Sequence, residues 1–154
     1  MLLAEALIER ADAQRRLAEL KRRVAENAQV QEGEEPAEDP QRLLDEAVRV
    51  AERIRQLIVA VNTTNAVTRL PNGATVTEAI AQRDLLGTRV RLLHEAAGHA
   101  AQRQHRFGRA EIRTVPVLDA GALRTQADRL AADHRALDIQ LQQVNWGTEL
   151  TVSA

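Results

Sequence analysis

The stretch TNAVTRLPNGATVTE, residues 64–78, separates two long helical patterns and decides how the chain is divided. Its Asn-Gly pair is a strong turn signal, because both residue types tolerate a positive φ. Short runs of β-forming residues flank this pair, so we predict a β-hairpin over residues 67–76. Thr75 is followed three residues later by Glu78, which is typical of a capping box that begins the next helix.

Apolar residues recur at helical spacing on both sides of this stretch. We predict four helices within a single domain of residues 1–154, over about residues 2–26, 41–61, 76–104 and 120–144. The polar run NTTN at residues 62–65 should end the second helix, since such side chains compete for backbone hydrogen-bonding groups. The apolar stripe of that helix is wide enough to contact more than one neighbour.

The predicted fold is mainly α, with four long helices arranged as antiparallel helical hairpins in a bundle or coiled-coil-like form. After the third helix the helical period is lost, and β-forming residues occur in RFGRAEIRTVPVL at residues 106–118. We therefore predict an extended segment over residues 107–118 that packs beside the hairpin. The β element at one end of the helices would then be a β-hairpin or a small three-stranded antiparallel sheet.

Composition and charge exclude several classes of function. Acidic and basic side chains number 22 and 21 and are interspersed, so we expect no nucleic-acid partner. The chain has no cysteine, which excludes disulfides and thiolate metal sites and agrees with the cytoplasmic location that we expect. No apolar run approaches the roughly 20 residues of a transmembrane helix. Ser153 is the only serine, so a serine-based catalytic triad is excluded.

Two arginines, Arg10 and Arg83, lie on otherwise apolar helix seams. A buried arginine without a partner is costly, so we expect ion pairs with carboxylates nearby in sequence. These carboxylates are Glu9 and Asp12 for the first arginine and Asp84 for the second. One interpretation is an ion-pair network that fixes the register between helices or subunits. The other is an anion-binding pocket.

His134 lies on the seam of the fourth helix, and Asp138, four residues later, shares its face. It is either a hydrogen-bonded interior histidine or part of a ligand or proton-handling site. His94 and His99 are five residues apart, about 140° around a helix, so they do not form the i, i+4 pair that zinc needs. The candidate ligand-binding residues are therefore Arg10, Arg83, His134, Asp138, Glu9 and Asp12.

The segment NAQVQEGEEPAEDP at residues 27–40 is an acidic loop without an apolar face. We interpret it as a solvated connector, and the alternative is an acidic lip that binds a cation or a basic partner. It lacks the alternating aspartate spacing of a calcium-binding loop. We assign no catalytic residue, leave any cofactor or metal unspecified, and favour a protein that is not an enzyme.

Several segments resemble the septicolysin-like family of small bacterial helical proteins. They are LAEALIERAD at residues 3–12, QEGEEPAEDP at residues 31–40, RAEIRTVPVLD at residues 109–119 and LDIQLQQVNW at residues 137–146. The name of that family implies a membrane-active, pore-forming protein. The resemblance carries no catalytic residue with it.

Three functional hypotheses follow from the sequence. The favoured one is a cytoplasmic, self-associating helical protein that acts by interaction or as a structural component, because long helical hairpins bury little surface alone. It predicts a homo-oligomer. The first alternative is a helical bundle that binds a small ligand, an anion or a metal. The second is the membrane-active, pore-forming protein that the resemblance implies.

Overall fold

The computed structural model describes residues 1–102 and 115–151, and the regular secondary structure of these ranges is helical. The helices are α1 (Leu3–Asn27), α2 (Pro40–Val67), α3 (Val76–Ala101) and α4 (Ala120–Gly147). This confirms the prediction of a mainly α fold with four helices. Most of the predicted extended segment lies outside the described residues, and its last residues, 115–118, form no strand.

The chain forms two compact units. The first contains residues 1–77 together with the C-terminal residues from 142 onward, and the second contains residues 78–141. None of the four helices, over the part of the chain that the structure describes, has a stretch both long and apolar enough to cross a bilayer.

Two clusters of buried aliphatic side chains join α1 to α2 in the first unit. One cluster consists of Leu3, Ala6, Leu57 and Val61, and the other of Leu20, Leu43 and Ala47. Low-numbered residues of α1 contact high-numbered residues of α2 in these clusters, so the two helices are antiparallel. Burying one leucine contributes about 1.5–3 kcal/mol. Since a domain's net stability is only about 5–15 kcal/mol, each of these leucines matters to the fold.

The start of α2 is fixed by an Asp-Pro pair. The Asp39 carboxylate accepts hydrogen bonds from the backbone amides of Gln41 (2.9 Å) and Arg42 (3.3 Å). Pro40 occupies the first helical position, where its missing amide costs nothing and its fixed φ suits the helix. The capping aspartate thus begins α2 directly after the acidic loop.

The end of α2 differs from the prediction, because the helix runs through Val67 rather than ending at residue 61. The polar run does not stop the helix because Thr64, which is fully buried, has partners inside the structure. Its hydroxyl donates to the carbonyl of Ala60 at 2.8 Å and accepts from the amide of Thr151 at 3.1 Å. A satisfied hydroxyl has no reason to compete with the helix for its own backbone groups.

The predicted β-hairpin over residues 67–76 and the predicted sheet are wrong, since no β-strand occurs in residues 1–102 and 115–151. Val67 still belongs to α2 and Val76 already begins α3, so a single isolated bridge, between Arg69 and Thr75, is all that remains of the pairing. The turn itself is tight, and Gly73 supplies a φ of 86°.

The turn also differs in kind from the expected Asn-Gly turn. Its Asn72 does not adopt a positive φ, and its side chain instead accepts a hydrogen bond from the amide of Ala74 at 3.1 Å. The amide of Gly73 donates to the carbonyl of Leu70 at 2.9 Å, which closes a turn with Pro71 at its second position. Proline's fixed negative φ favours this geometry.

Residues from both ends of the chain close the first unit. The amide of Leu3 donates to the carbonyl of Thr148 at 2.8 Å, and the amide of Leu150 donates to the carbonyl of Met1 at 3.0 Å. The amide of Leu2 donates to the Glu5 carboxylate at 2.8 Å. The amides of Leu2 and Leu3 lie at the beginning of α1, where they have no partner within the helix.

We expect Thr64→Val to lower the free energy of unfolding by about 1–3 kcal/mol, because it removes a fully buried hydroxyl together with its hydrogen bonds to Ala60 and Thr151. Thr64→Ser is the matched control, since it keeps the hydroxyl and loses only a methyl group, worth about 0.8 kcal/mol. Urea denaturation followed by circular dichroism measures both. Equal stability of the valine variant and the wild type would show that the hydroxyl does not hold the C-terminal segment.

Candidate functional site

A ladder of ion pairs joins α1 to α2 and the end of the acidic loop. Its α1 members, Glu9, Arg16 and Arg23, are seven residues apart and so lie on one face of the helix. Their partners are Arg53, Glu46 and Glu38 respectively. Because numbers rise along α1 while they fall along the partner segment, the ladder runs the length of the antiparallel helix pair.

The first rung is bidentate. Arg53 donates from Nε to Glu9 Oε1 at 2.7 Å and from Nη2 to Glu9 Oε2 at 3.0 Å, and each side chain is about one-third exposed. These hydrogen bonds hold the pKa of Glu9 below its ordinary value of 4.5 and raise the pKa of Arg53. A planar guanidinium facing a carboxylate in this way adds orientation as well as charge.

The other rungs form a continuous chain of charges. Arg16 donates to Glu46 at 2.7 Å and to Glu19 at 3.1 Å, and Glu19 also accepts from Arg23 at 3.3 Å. Arg23 makes a bidentate pair with Glu38. That pair lowers the pKa of Glu38.

Asn27, at the end of α1, positions Glu38. It is buried, its amide nitrogen donates to the carbonyl of Arg23 at 2.9 Å, and its oxygen accepts from the amide of Glu38 at 2.9 Å. The acidic loop is therefore anchored at its C-terminal end, while residues 28–37 are exposed. Asn27 was not among the predicted residues, although an asparagine at the end of a helical pattern is a usable signal for such a cap.

The predicted residues on α1 do not converge. Glu9 pairs with Arg53, and Asp12 pairs with Arg15 one turn further along the helix. Arg10 is half-buried and makes no ion pair with any residue in the described ranges. Consecutive helical residues point about 100° apart, so Glu9 faces α2 and Arg10 does not share its partner.

Two predicted residues of the second unit do meet. Arg83, on α3, donates from Nη1 to Asp138 Oδ1 on α4 at 3.3 Å. It also donates from Nε and Nη2 to Asp84 Oδ1 at 3.1 and 2.9 Å. The hydrogen bonds that Arg83 donates to Asp84, and to a lesser extent the one to Asp138, raise the pKa of Arg83. Since three of its nitrogens already donate to carboxylates, this arginine is better suited to fixing register than to binding a free anion.

His134 lies one turn from Asp138, where its ring packs against Gly87 of α3. A Cβ atom at Gly87 would be 3.5 Å from the ring, which is ordinary van der Waals contact. The pairs 83–138 and 87–134 together show that α3 and α4 are antiparallel here. His94 and His99 are exposed, and no three metal-ligating side chains cluster among the described residues.

A concave site that was not predicted lies beside the Arg16–Glu46 and Arg23–Glu38 pairs of the ladder. Its cavity volume is about 490 Å³, which is within the usual range for small-molecule sites. Its lining residues come from α1, the end of the acidic loop and the first turns of α2: Arg23, Glu38, Asp39, Arg42, Leu43, Asp45, Glu46 and Arg49. Arginines seven residues apart after an Asp-Pro cap are the sequence signal that could have indicated it.

Comparison with known proteins identifies the family. Residues 10–150 match a family of unknown function (DUF6847). The chain belongs to this family. A crystal structure of a functionally unknown conserved protein from Corynebacterium diphtheriae is 41% identical, covers 98% of this chain and 99% of its own, and superposes with a TM-score of 0.91. No curated protein matches. The resemblance to the septicolysin-like family is therefore wrong, because the family that matches is a different one of unknown function.

We expect Gly87→Ala and Gly98→Ala to raise the free energy of unfolding by similar amounts, about 0.5–1 kcal/mol each. Alanine is the better helix former, the added methyl group fits beside His134 at the first position, and nothing lies within 4 Å at the second. Urea denaturation checks both variants. A loss of stability confined to Gly87→Ala would mean that α3 and α4 need a glycine at their contact.

The Glu9–Arg53 pair should make stability depend on pH. Because the folded pKa of Glu9 is below 4.5, the pair contributes fully above that pH and its contribution is lost as the pH falls through the lower value. We expect Glu9→Gln to melt lower than the wild type at neutral pH, by roughly 2–4 °C for about 1 kcal/mol.

The difference between these melting temperatures should shrink when the same pair of proteins is measured in acid. The control is Glu95→Gln, which changes an exposed glutamate without an ion pair in the described part of the chain. A Glu9→Gln difference that stays constant down to about pH 3, below the ordinary glutamate pKa, would contradict the assignment.

Proposed function

We propose that this protein acts by associating with a second copy of itself through the outer face of α2. The observation that carries the proposal is a second line of apolar side chains on this helix that is exposed. Its members are Leu44, Val48, Ala51, Ile58 and Val59. Val48 is the most exposed of the large side chains among them, at 62%. Contiguous exposed apolar surface of this kind commonly marks an interaction site.

This outer line is separate from the seam that faces α1. The seam contains Leu43, Ala47, Leu57 and Val61, which are buried. Leu44, Val48 and Ile58 of the outer line each follow a seam residue by one position and so are rotated from it by about 100° around the helix. The wide apolar stripe of α2 therefore has one half covered by α1 and the other half available to a further helix.

A second copy suits this face because two of its large apolar side chains are placed symmetrically about the level of residue 53. Val48 and Ile58 lie five residues to either side of that level. Two antiparallel α2 helices centred there would place Val48 of each copy against Ile58 of the other. A two-fold interface requires this kind of self-complementarity.

Charge at the centre of the face also fits. Arg55 lies on the outer line and pairs with Glu52 of the same helix at 2.7 Å. In the antiparallel arrangement, Glu52 of one copy and Arg55 of the other are at nearly the same level. Exchange of these pairs between copies would leave no like charges opposed.

The proposed role is that of an interaction or structural protein of the cytoplasm. A cysteine-free chain is compatible with a reducing compartment. The pore-forming alternative rested on the septicolysin-like resemblance and has no other support.

Light scattering coupled to size exclusion should give the mass of a dimer at about 100 μM protein, far above a micromolar dissociation constant. The double variant Leu44→Glu, Val48→Glu should be a monomer, because it places carboxylates on the apolar face. Its helicity by circular dichroism should match the wild type, since both side chains are exposed.

The matched control is Val117→Glu. It also replaces an exposed valine by glutamate, but at a position outside the four helices. It should remain a dimer. A monomeric wild type, or a double variant that dimerises as well as the wild type, would refute the proposal.

A further inference from the structure

The concave site beside the ion-pair ladder contains some charged groups that are ion-paired within the chain and others that are not. Among its lining residues are three arginines and four carboxylates, so the site as a whole is close to neutral. The contacts that each group makes within the chain determine whether it can still form hydrogen bonds with a ligand.

Two of the four carboxylates are neutralised by arginines. Glu38 is held by the bidentate pair with Arg23, and Glu46 accepts from Arg16 at 2.7 and 3.0 Å. Both arginines also share Glu19. These groups form a fixed wall of the site, because a ligand that displaced them would break ion pairs already made.

Each of the other two carboxylates accepts hydrogen bonds from described residues through only one of its two oxygens. Asp39 accepts the amide hydrogen bonds of the α2 cap through Oδ1, and Asp45 accepts from the side-chain amide of Gln41 through Oδ1 at 2.9 Å. Neither forms an ion pair with a described residue. Each therefore keeps its negative charge and a second oxygen that can accept from a cation.

Arg42 and Arg49 are the two arginines lining the site that have no side-chain partner among the described residues. They are seven residues apart on α2 and so lie on the same face, about 10 Å apart along the helix. Both line the site, and neither guanidinium makes a hydrogen bond or ion pair within residues 1–102 and 115–151. Each guanidinium offers five N–H donors in a geometry suited to a carboxylate.

We propose that this site binds a small zwitterion. Its carboxylate is held by Arg42 and Arg49, and its protonated amine is held by Asp45 and Asp39. Balanced charge favours such a ligand over a simple anion, since four carboxylates line the same cavity. Self-association is a separate proposal, because it uses the outer apolar line of α2 and none of these residues.

Ligand-observed NMR at constant ionic strength tests the proposal with a series of zwitterions of increasing charge separation: glycine, γ-aminobutyrate and ε-aminocaproate. Two control compounds carry one charge each: butyrate has only the carboxylate, and butylamine has only the ammonium group. We expect at least one zwitterion to bind with a dissociation constant of about 1 mM or below, and about tenfold more tightly than either single-charge compound.

Variants assign the binding to this site. Arg42→Ala, Arg49→Ala and Asp45→Asn should each weaken it by about tenfold or more, the loss expected for one charged hydrogen bond. Arg129→Ala is the control, since Arg129 is an exposed α4 arginine without a partner among the described residues. It should bind as the wild type does. Circular dichroism confirms that all four variants fold.

Three outcomes overturn the proposal. One is no binding by any of the zwitterions. Another is binding of butyrate as tight as that of γ-aminobutyrate, which would make the site a plain anion site. The third is binding that survives Arg42→Ala and Arg49→Ala together. Light scattering on the same samples reports the oligomeric state, so failure here and failure of self-association are read separately.

Discussion

The register of α1 against α2 is the constraint on which the first unit depends. A core of leucine and alanine cannot choose between alignments that differ by two helical turns, because such side chains substitute for one another. The ion pairs can. A slip of seven residues in one direction would oppose Glu9 to Glu46, and a slip in the other would oppose Arg16 to Arg53. Each alternative brings one pair of like charges together, so the ladder favours the observed alignment even where its partly exposed pairs add little stability.

Arginine therefore serves two purposes in this protein, and context distinguishes them. Arg16, Arg23, Arg53 and Arg83 face carboxylates across helix contacts and act as alignment devices. Arg42 and Arg49 occupy the same kind of surface without partners in the described chain. The sequence does not separate these classes, because Arg16 and Arg23 have acidic residues three or four positions away, and so do Arg42 and Arg49. Only the packing of α2 on α1 decides which carboxylates are within reach.

Helical periodicity was enough to predict four helices, because a seam of leucine and alanine every three or four residues has few other solutions. The wide stripe on α2 was also readable, and the structure divides it into a buried seam and an exposed line. Between residues 62 and 76, local propensity predicted the wrong end for α2 and a β-hairpin that the structure does not have. There, the buried hydroxyl of Thr64 depends on Thr151, which is 87 residues away along the chain. The concave site was missed for the same reason, since it is assembled by contacts between α1, the acidic loop and α2.

The pairing of the two chain ends has a consequence for the order of folding. The bridge between Leu2 and Glu149, and the bond from Thr151 to Thr64, belong to the first unit, yet residues 78–141 intervene as a unit of their own. During synthesis, α1 and α2 can pair as soon as both have emerged, because their contacts are close in sequence. The amides at the start of α1 must then remain solvated until residues 148–151 have been synthesised. Closure of the first unit therefore follows synthesis of the inserted segment.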